Sequence, residues 1–179
     1  MAIGRVGSLR AKAMCLVLAA MFASAAYPAR ANFDVYSALA GQAPAADMHL
    51  NSTELIGGIV SCISEGLLRE PIQTLQDFGT RYCKRGDKCY PASEYIGDAF
   101  AANGLVVEYD YFPHEIYTLR NVIGIKPGNS MPDTTVIICA HYDSYSSDAW
   151  TDAPGADDDA SGTAAVMAAA EILSDYSFN

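Results

Sequence analysis

A short apolar run, Thr134 to Ala140, ends on His141, and a loop rich in Gly and Asp leads on into an alanine-rich helix. The run reads Thr135-Val-Ile-Ile-Cys-Ala-His141-Tyr-Asp143-Ser. The loop closes on Ala153-Pro-Gly-Ala-Asp157-Asp158-Asp159-Ala-Ser161-Gly162. A continuous apolar stretch bounded by polar loops predicts a strand buried on both faces. A strand that delivers a His at its carboxyl end, followed by a carboxylate at a helix start, is the way an open α/β sheet builds a site along the carboxyl ends of its strands.

The flanking pattern agrees with that class. Apolar residues at Leu55, Ile56, Ile59, Val60, Ile63 and Leu67 recur at helical spacing, with Ser52 or Thr53 as N-cap. Pro71 is expected to open a further helix through Phe78, and Pro91 another that stops at Asn103-Gly104. Leu105 to Phe112 and Tyr117 to Lys126 read as strands, and Ser161 to Ser174 as a helix whose small residues suit close approach to a sheet. The expected architecture is a three-layer α/β/α domain.

The 179 residues suffice for one core-bearing domain. Residues 1–31 read as a secretory signal: Arg5, Arg10 and Lys12 precede the apolar run Ala13 to Ala26, and Ala29-Arg30-Ala31 offers a small-residue cleavage site. That run is shorter than the roughly 20 apolar residues a membrane span needs. The expected organisation is therefore a signal over 1–31, a loose leader over 32–52, and the domain proper over 53–179. This predicts a secreted or periplasmic protein without a membrane span after cleavage. Removing 1–31 takes away four basic residues and no acidic one, leaving 7 basic against 21 acidic. A surface so acidic repels nucleic acid. Cys83 and Cys89 flank a polar loop turned at Gly86, and an oxidising compartment would pair them as a disulfide. Cys139, inside the apolar strand, is expected to be a buried free thiol. Asn51-Ser-Thr53 is a glycosylation sequon.

His and Asp supply nitrogen and oxygen donors suited to zinc. Asp143, two residues past His141, can accept from the ring N–H that does not coordinate, which fixes the tautomer. Three consecutive carboxylates repel one another unless a cation or a helix N-terminus relieves them. A lone His-x-Asp or a lone acidic triplet is usually surface chemistry; the constellation comes from both on one edge of one strand.

The string His141-Tyr-Asp143-Ser, then Ala-Pro-Gly-Ala-Asp-Asp-Asp-Ala-Ser-Gly and an apolar helix, resembles the secreted co-catalytic di-zinc aminopeptidases of the bacterial leucyl aminopeptidase type. Glutamate carboxypeptidase II and the glutaminyl cyclases are more distant relatives of that family. The resemblance extends to Phe78-Gly-Thr-Arg81-Tyr82 and Arg120-Asn-Val-Ile123 and covers residues 65–179. It implies that His141 ligates one zinc, that Asp158 bridges two, and that Asp143 has the catalytic task of orienting His141. Asp157 and Asp159 would only flank, Asp158–Asp159 would be a cis peptide, and Arg81 would be packing. It implies two zincs per complete enzyme and peptide substrates with a free N-terminus. The family's general-base Glu and its later ligands have no counterpart before Asn179, so the expectation is an N-terminal portion of such a hydrolase that is inactive alone. His49 and His114 lie upstream, in the wrong order for a missing ligand. Tyr142, Tyr145 and Trp150 could line one wall of a substrate site. The alternatives are a single-zinc acyltransferase like the glutaminyl cyclases, or a non-catalytic ectodomain on the same fold.

Overall fold

The structure is a computed structural model that describes residues 15–21, 52–128 and 135–178. In chain order it contains β1 (Cys15–Met21), α1 (Ser52–Ser61), α2 (Glu65–Asp77), α3 (Gly86–Ala102), β2 (Val106–His114), β3 (Tyr117–Pro127), β4 (Thr135–His141) and α4 (Ser161–Ser174). The strands form one mixed sheet in the order β2-β3-β1-β4. The class is α/β. The leader expected over residues 32–50, the residue Asn51 of the sequon, and His49 lie outside the described residues.

The helices begin earlier than their prolines suggest. Ser64 caps α2, its hydroxyl accepting from the Leu67 N–H at 3.2 Å, so Pro71 falls inside the helix. Pro71 lacks the N–H that would reach back to the Leu67 carbonyl, so α2 runs through the loss of one backbone bond in its second turn. Pro91 likewise falls within α3, which starts at Gly86. That corrects the expected disulfide: residues 86–90 are the opening of a helix rather than a free polar loop. Both thiols are free, with Cys89 turned into the core and Cys83 half-buried. The other end of α3 stops where the sequence puts it. Gly104 takes φ +73°, and the Leu105 N–H reaches the Phe100 carbonyl at 3.1 Å.

The β2–β3 hairpin turns through Glu115 (φ 54°) and Ile116, with His114 opposite Tyr117. The core lies between the sheet and α2, α3 and α4. It joins Leu75, Ile96, Phe100, Leu105, Val122, Tyr142, Val166 and Met167. α4 packs on α2 and α3, and α3 and α4 pack on the sheet. Among the described residues this leaves β4 more open than its composition predicts. Ile138 and Ala140 pack toward the core, whereas Val136, Ile137 and Cys139 are exposed. Among the described residues β4 is an edge strand beside β1, its apolar run is not buried on both faces, and Cys139 is not a buried thiol. The helical periodicity of residues 55–63 also overstated burial, since Ile56, Val60 and Ile63 are exposed.

β1 is the larger departure. Residues read as the apolar heart of a secretory signal lie between β3 and β4, antiparallel to the first and parallel to the second. Both roles call for the same thing, a contiguous apolar run without charge, so composition alone does not separate them. Among the described residues no helix is long and apolar enough to cross a membrane.

Candidate metal centre

The site forms where β4 ends and α4 begins. His141 is the last residue of β4, and its backbone is pinned from both sides by the start of α4. Asp159 Oδ2 accepts the His141 N–H at 3.3 Å, and Thr163 Oγ1 donates to the His141 carbonyl at 2.9 Å. The second Asp159 oxygen accepts the Gly162 N–H at 3.0 Å, so this carboxylate also caps the helix. A side chain at Gly162 would meet that carboxylate, with a Cβ 2.6 Å from Oδ2. Strand end and helix start are thereby joined through one residue.

Between them, residues 156–160 form a wide turn in which Asp158 (φ −121°, ψ 90°) and Asp159 (φ −136°, ψ 44°) leave helical geometry, and the Asp158–Asp159 peptide is cis. The turn throws the neighbouring carboxylates in different directions. Asp159 points back to the strand, while the Asp158 side chain is exposed and its Oδ1 lies 2.9 Å from His141 Nε2. On the other side of the ring, Asp143 Oδ1 lies 3.1 Å from Nδ1. The imidazole thus has one nitrogen committed to Asp143 and the other facing Asp158. Asp159 Oδ2 is 3.9 Å from Nε2, too far for a hydrogen bond.

The electrostatics follow from this crowding. Partial burial pulls the His141 pKa down, but the carboxylates of Asp143, Asp159 and Asp158 outweigh it, and the net shift is upward. Burial raises Asp143 above the usual carboxylate range, against the opposing pull of His141 and Arg81. The acidic surroundings therefore favour the protonated imidazole, and a metal ion would compete with that proton.

The donor set suits a divalent metal of the zinc type, with one imidazole nitrogen and one exposed carboxylate oxygen converging and the ring oriented from behind. It offers two candidate ligands. Among the described residues no third His, Cys, Asp or Glu joins them in a metal-holding group. His114, at the end of β2, is not brought to the site. Tyr142 is wholly buried, and its hydroxyl donates to the Arg120 carbonyl at 2.7 Å, so it lines no substrate wall. Tyr145 and Trp150 are exposed and both meet Tyr82 edge-on, at 5.8 and 5.6 Å between ring centres. Sequence reasoning passed over Asp159 as a flanking residue. Its spacing of three to Gly162 is that of a helix-capping carboxylate and could have marked it. The residue behind both loop arms, Arg81, had no such signal.

Residues 121–178 match the model of Peptidase family M28. The chain is 32% identical over 129 residues to Leucine aminopeptidase 1 of Pyrenophora tritici-repentis (strain Pt-1C-BFP), covering 67% of this chain and 32% of that protein. It is 33% identical over 124 residues to Leucine aminopeptidase 1 of Trichoderma harzianum, covering 63% of this chain and 29% of the relative. A Probable zinc metalloprotease of Pyrenophora teres f. teres (strain 0-1) is 31% identical over 139 residues, covering 66% and 29%. The chain spans about a third of the length of these relatives. Over the residues that carry the strand end, the acidic turn and the helix, it is similar to Peptidase family M28.

Proposed function

We propose that this chain carries part of the zinc centre of a secreted aminopeptidase of the M28 type, acting on peptides with a free N-terminus. The observation that carries the reading is the convergence of His141 Nε2 and Asp158 Oδ1 to 2.9 Å, with Asp143 on the opposite ring nitrogen. Two relatives are named leucine aminopeptidases and one a zinc metalloprotease, which supports the same reading. His141 and Asp158 would hold zinc, Asp158 would bridge to a second ion, and Asp143 would orient His141. Zinc, when bound, supplies a Lewis acid that polarises the scissile carbonyl. The chain's own residues fix the imidazole tautomer and present the exposed carboxylate. A hydrolytic zinc centre usually has three protein ligands, and peptide cleavage also needs a group to move the proton. The described residues supply neither the third ligand nor that base. Residues 1–31 serve as the export signal in this reading.

The test is a zinc titration of the purified chain against His141→Ala and Asp158→Asn by competition with a chromogenic chelator. Binding by the wild type that weakens at least tenfold in each variant is expected. Equal binding by all three would sink the proposal.

A further inference from the structure

Among the described residues Arg81 is the largest fully buried side chain, and its guanidinium makes no ion pair with a carboxylate there. Every bond it makes is to a backbone carbonyl. Nε donates to Tyr142 at 2.8 Å, Nη1 to Leu75 and Pro154 at 2.7 Å each, and Nη2 to Gly155 at 2.9 Å. Tyr142 lies between His141 and Asp143. Pro154 and Gly155 lie just ahead of the acidic turn. One rigid fork therefore ties the arm that carries His141 and Asp143 to the arm that carries Asp158, and anchors both to the last turn of α2.

The backbone around Arg81 joins in. Its N–H donates to Ser144 Oγ at 2.9 Å, its carbonyl accepts from the Ser144 N–H at 3.3 Å, and Ser144 Oγ donates to the Ala153 carbonyl at 2.5 Å. Gly155 lies against the fork: a Cβ there would come within 3.0 Å of Nη2 and 2.6 Å of the Asp158 carbonyl. A buried cation costs several kcal/mol unless compensated. Burial pulls the guanidinium below its ordinary pKa, and the opposing charges are those of Asp143, Cys89 and Asp159. Two of those three belong to the site itself. Only a planar, multiply donating group serves this geometry; an ammonium has three donors and no fork.

We propose that Arg81 is a positioning residue for the His141–Asp158 site, setting the separation of the two loop arms through their carbonyls without touching metal or substrate. This rests on the zinc reading above. A buried arginine could instead serve only the general stability of the fold, so the test pairs it with a core variant. Arg81→Lys keeps the charge and loses the fork. Ile96→Ala opens a cavity under α3 without removing any bond of the fork. At matched loss of melting temperature, Arg81→Lys should weaken zinc binding at least tenfold, and Ile96→Ala should leave it at the wild-type value. Zinc affinity unchanged in folded Arg81→Lys, or weakened equally in Ile96→Ala, overturns the proposal. If Arg81→Lys does not fold, the side-chain Nε–H resonance of Arg81 in the wild type decides. It should shift on zinc titration while that of Arg120, bonded to Ser93 Oγ, stays put; no shift at Arg81 overturns the proposal. A wild type that takes up no zinc removes the metal reading, and the strut is then judged by amide exchange at His141 and Ala160. Exchange at least tenfold faster in Arg81→Lys than in Ile96→Ala upholds it, and equal exchange ends it.

Discussion

The carboxylate of Asp159 accepts the backbone N–H of His141 across 3.3 Å, while its other oxygen caps the helix that follows. The orientation of the imidazole is thereby coupled to the start of α4, and a change at either end is felt at the other.

Asp143→Asn keeps an oxygen near Nδ1 of His141 but removes the charge that makes the ring a better donor. Losing a group that orients a metal-bound His typically costs about 10- to 100-fold in affinity. The expected outcome is a zinc Kd raised by about that factor with little change in melting temperature, read by chelator competition beside a thermal melt.

Gly162→Ala forces a methyl group into the Asp159 carboxylate. Either the carboxylate gives up its two backbone donors or α4 moves off the strand. A destabilisation of about 1–3 kcal/mol is expected from such overpacking, measured by urea unfolding. A variant as stable as the wild type would show that Asp159 does not hold the joint.

The pH dependence of the metal-free chain follows from the upward shifts of His141 and Asp143. A folded-state pKa above the unfolded one contributes stability that is fully present below the unfolded value and is lost as pH rises through the folded value. For His141 that loss begins in the ordinary histidine range and ends at the raised value; for Asp143 it falls in the acid range above that of a free carboxylate. Melting temperature should therefore decline as pH rises through neutrality. Added zinc should stabilise more at the alkaline end, because it competes with the imidazole proton. His141→Gln should abolish the decline near neutrality.

Thiol accessibility separates Cys62, Cys83, Cys89 and Cys139. Cys62 and Cys139 are exposed, Cys83 is half-buried, and burial pushes the Cys89 thiol up to about 12. A disulfide-exchange reagent should titrate Cys62 and Cys139 at once, Cys83 more slowly, and Cys89 only on unfolding. Finding no reactive thiol at Cys83 in the unfolded, unreduced chain would instead reveal a disulfide there.

The parts of the molecule that were legible in the sequence are those written in local code. The strands β2 and β3, the stop of α3 at Asn103-Gly104, and the strand–His–loop–helix unit each depend on residues close together in the chain. The starts of α2 and α3 were misjudged because a capping Ser64 outweighed Pro71, and because the residues between Cys83 and Pro91 look like a loop when their neighbours are unknown. The exposure of Val136 and Ile137 depends on what covers β4, which no residue in the strand encodes. At the site, the strand-end His141, Asp143 and the acidic triplet stand out locally and the resemblance picks Asp158 from the triplet, whereas Arg81 acts from 61 residues away on the carbonyl of Tyr142.

The place of β1 in the sheet also bears on the order in which the chain acquires its structure. Leu16 pairs with Lys126 on one side and Val136 on the other, so this strand closes the longest loops in the fold. Loop closure of that length must be met before the pairing repays it, and contacts so distant in sequence form slowly. The hairpin and the helices can assemble without β1, so the seven residues of that strand are the last to find their partners in the sheet.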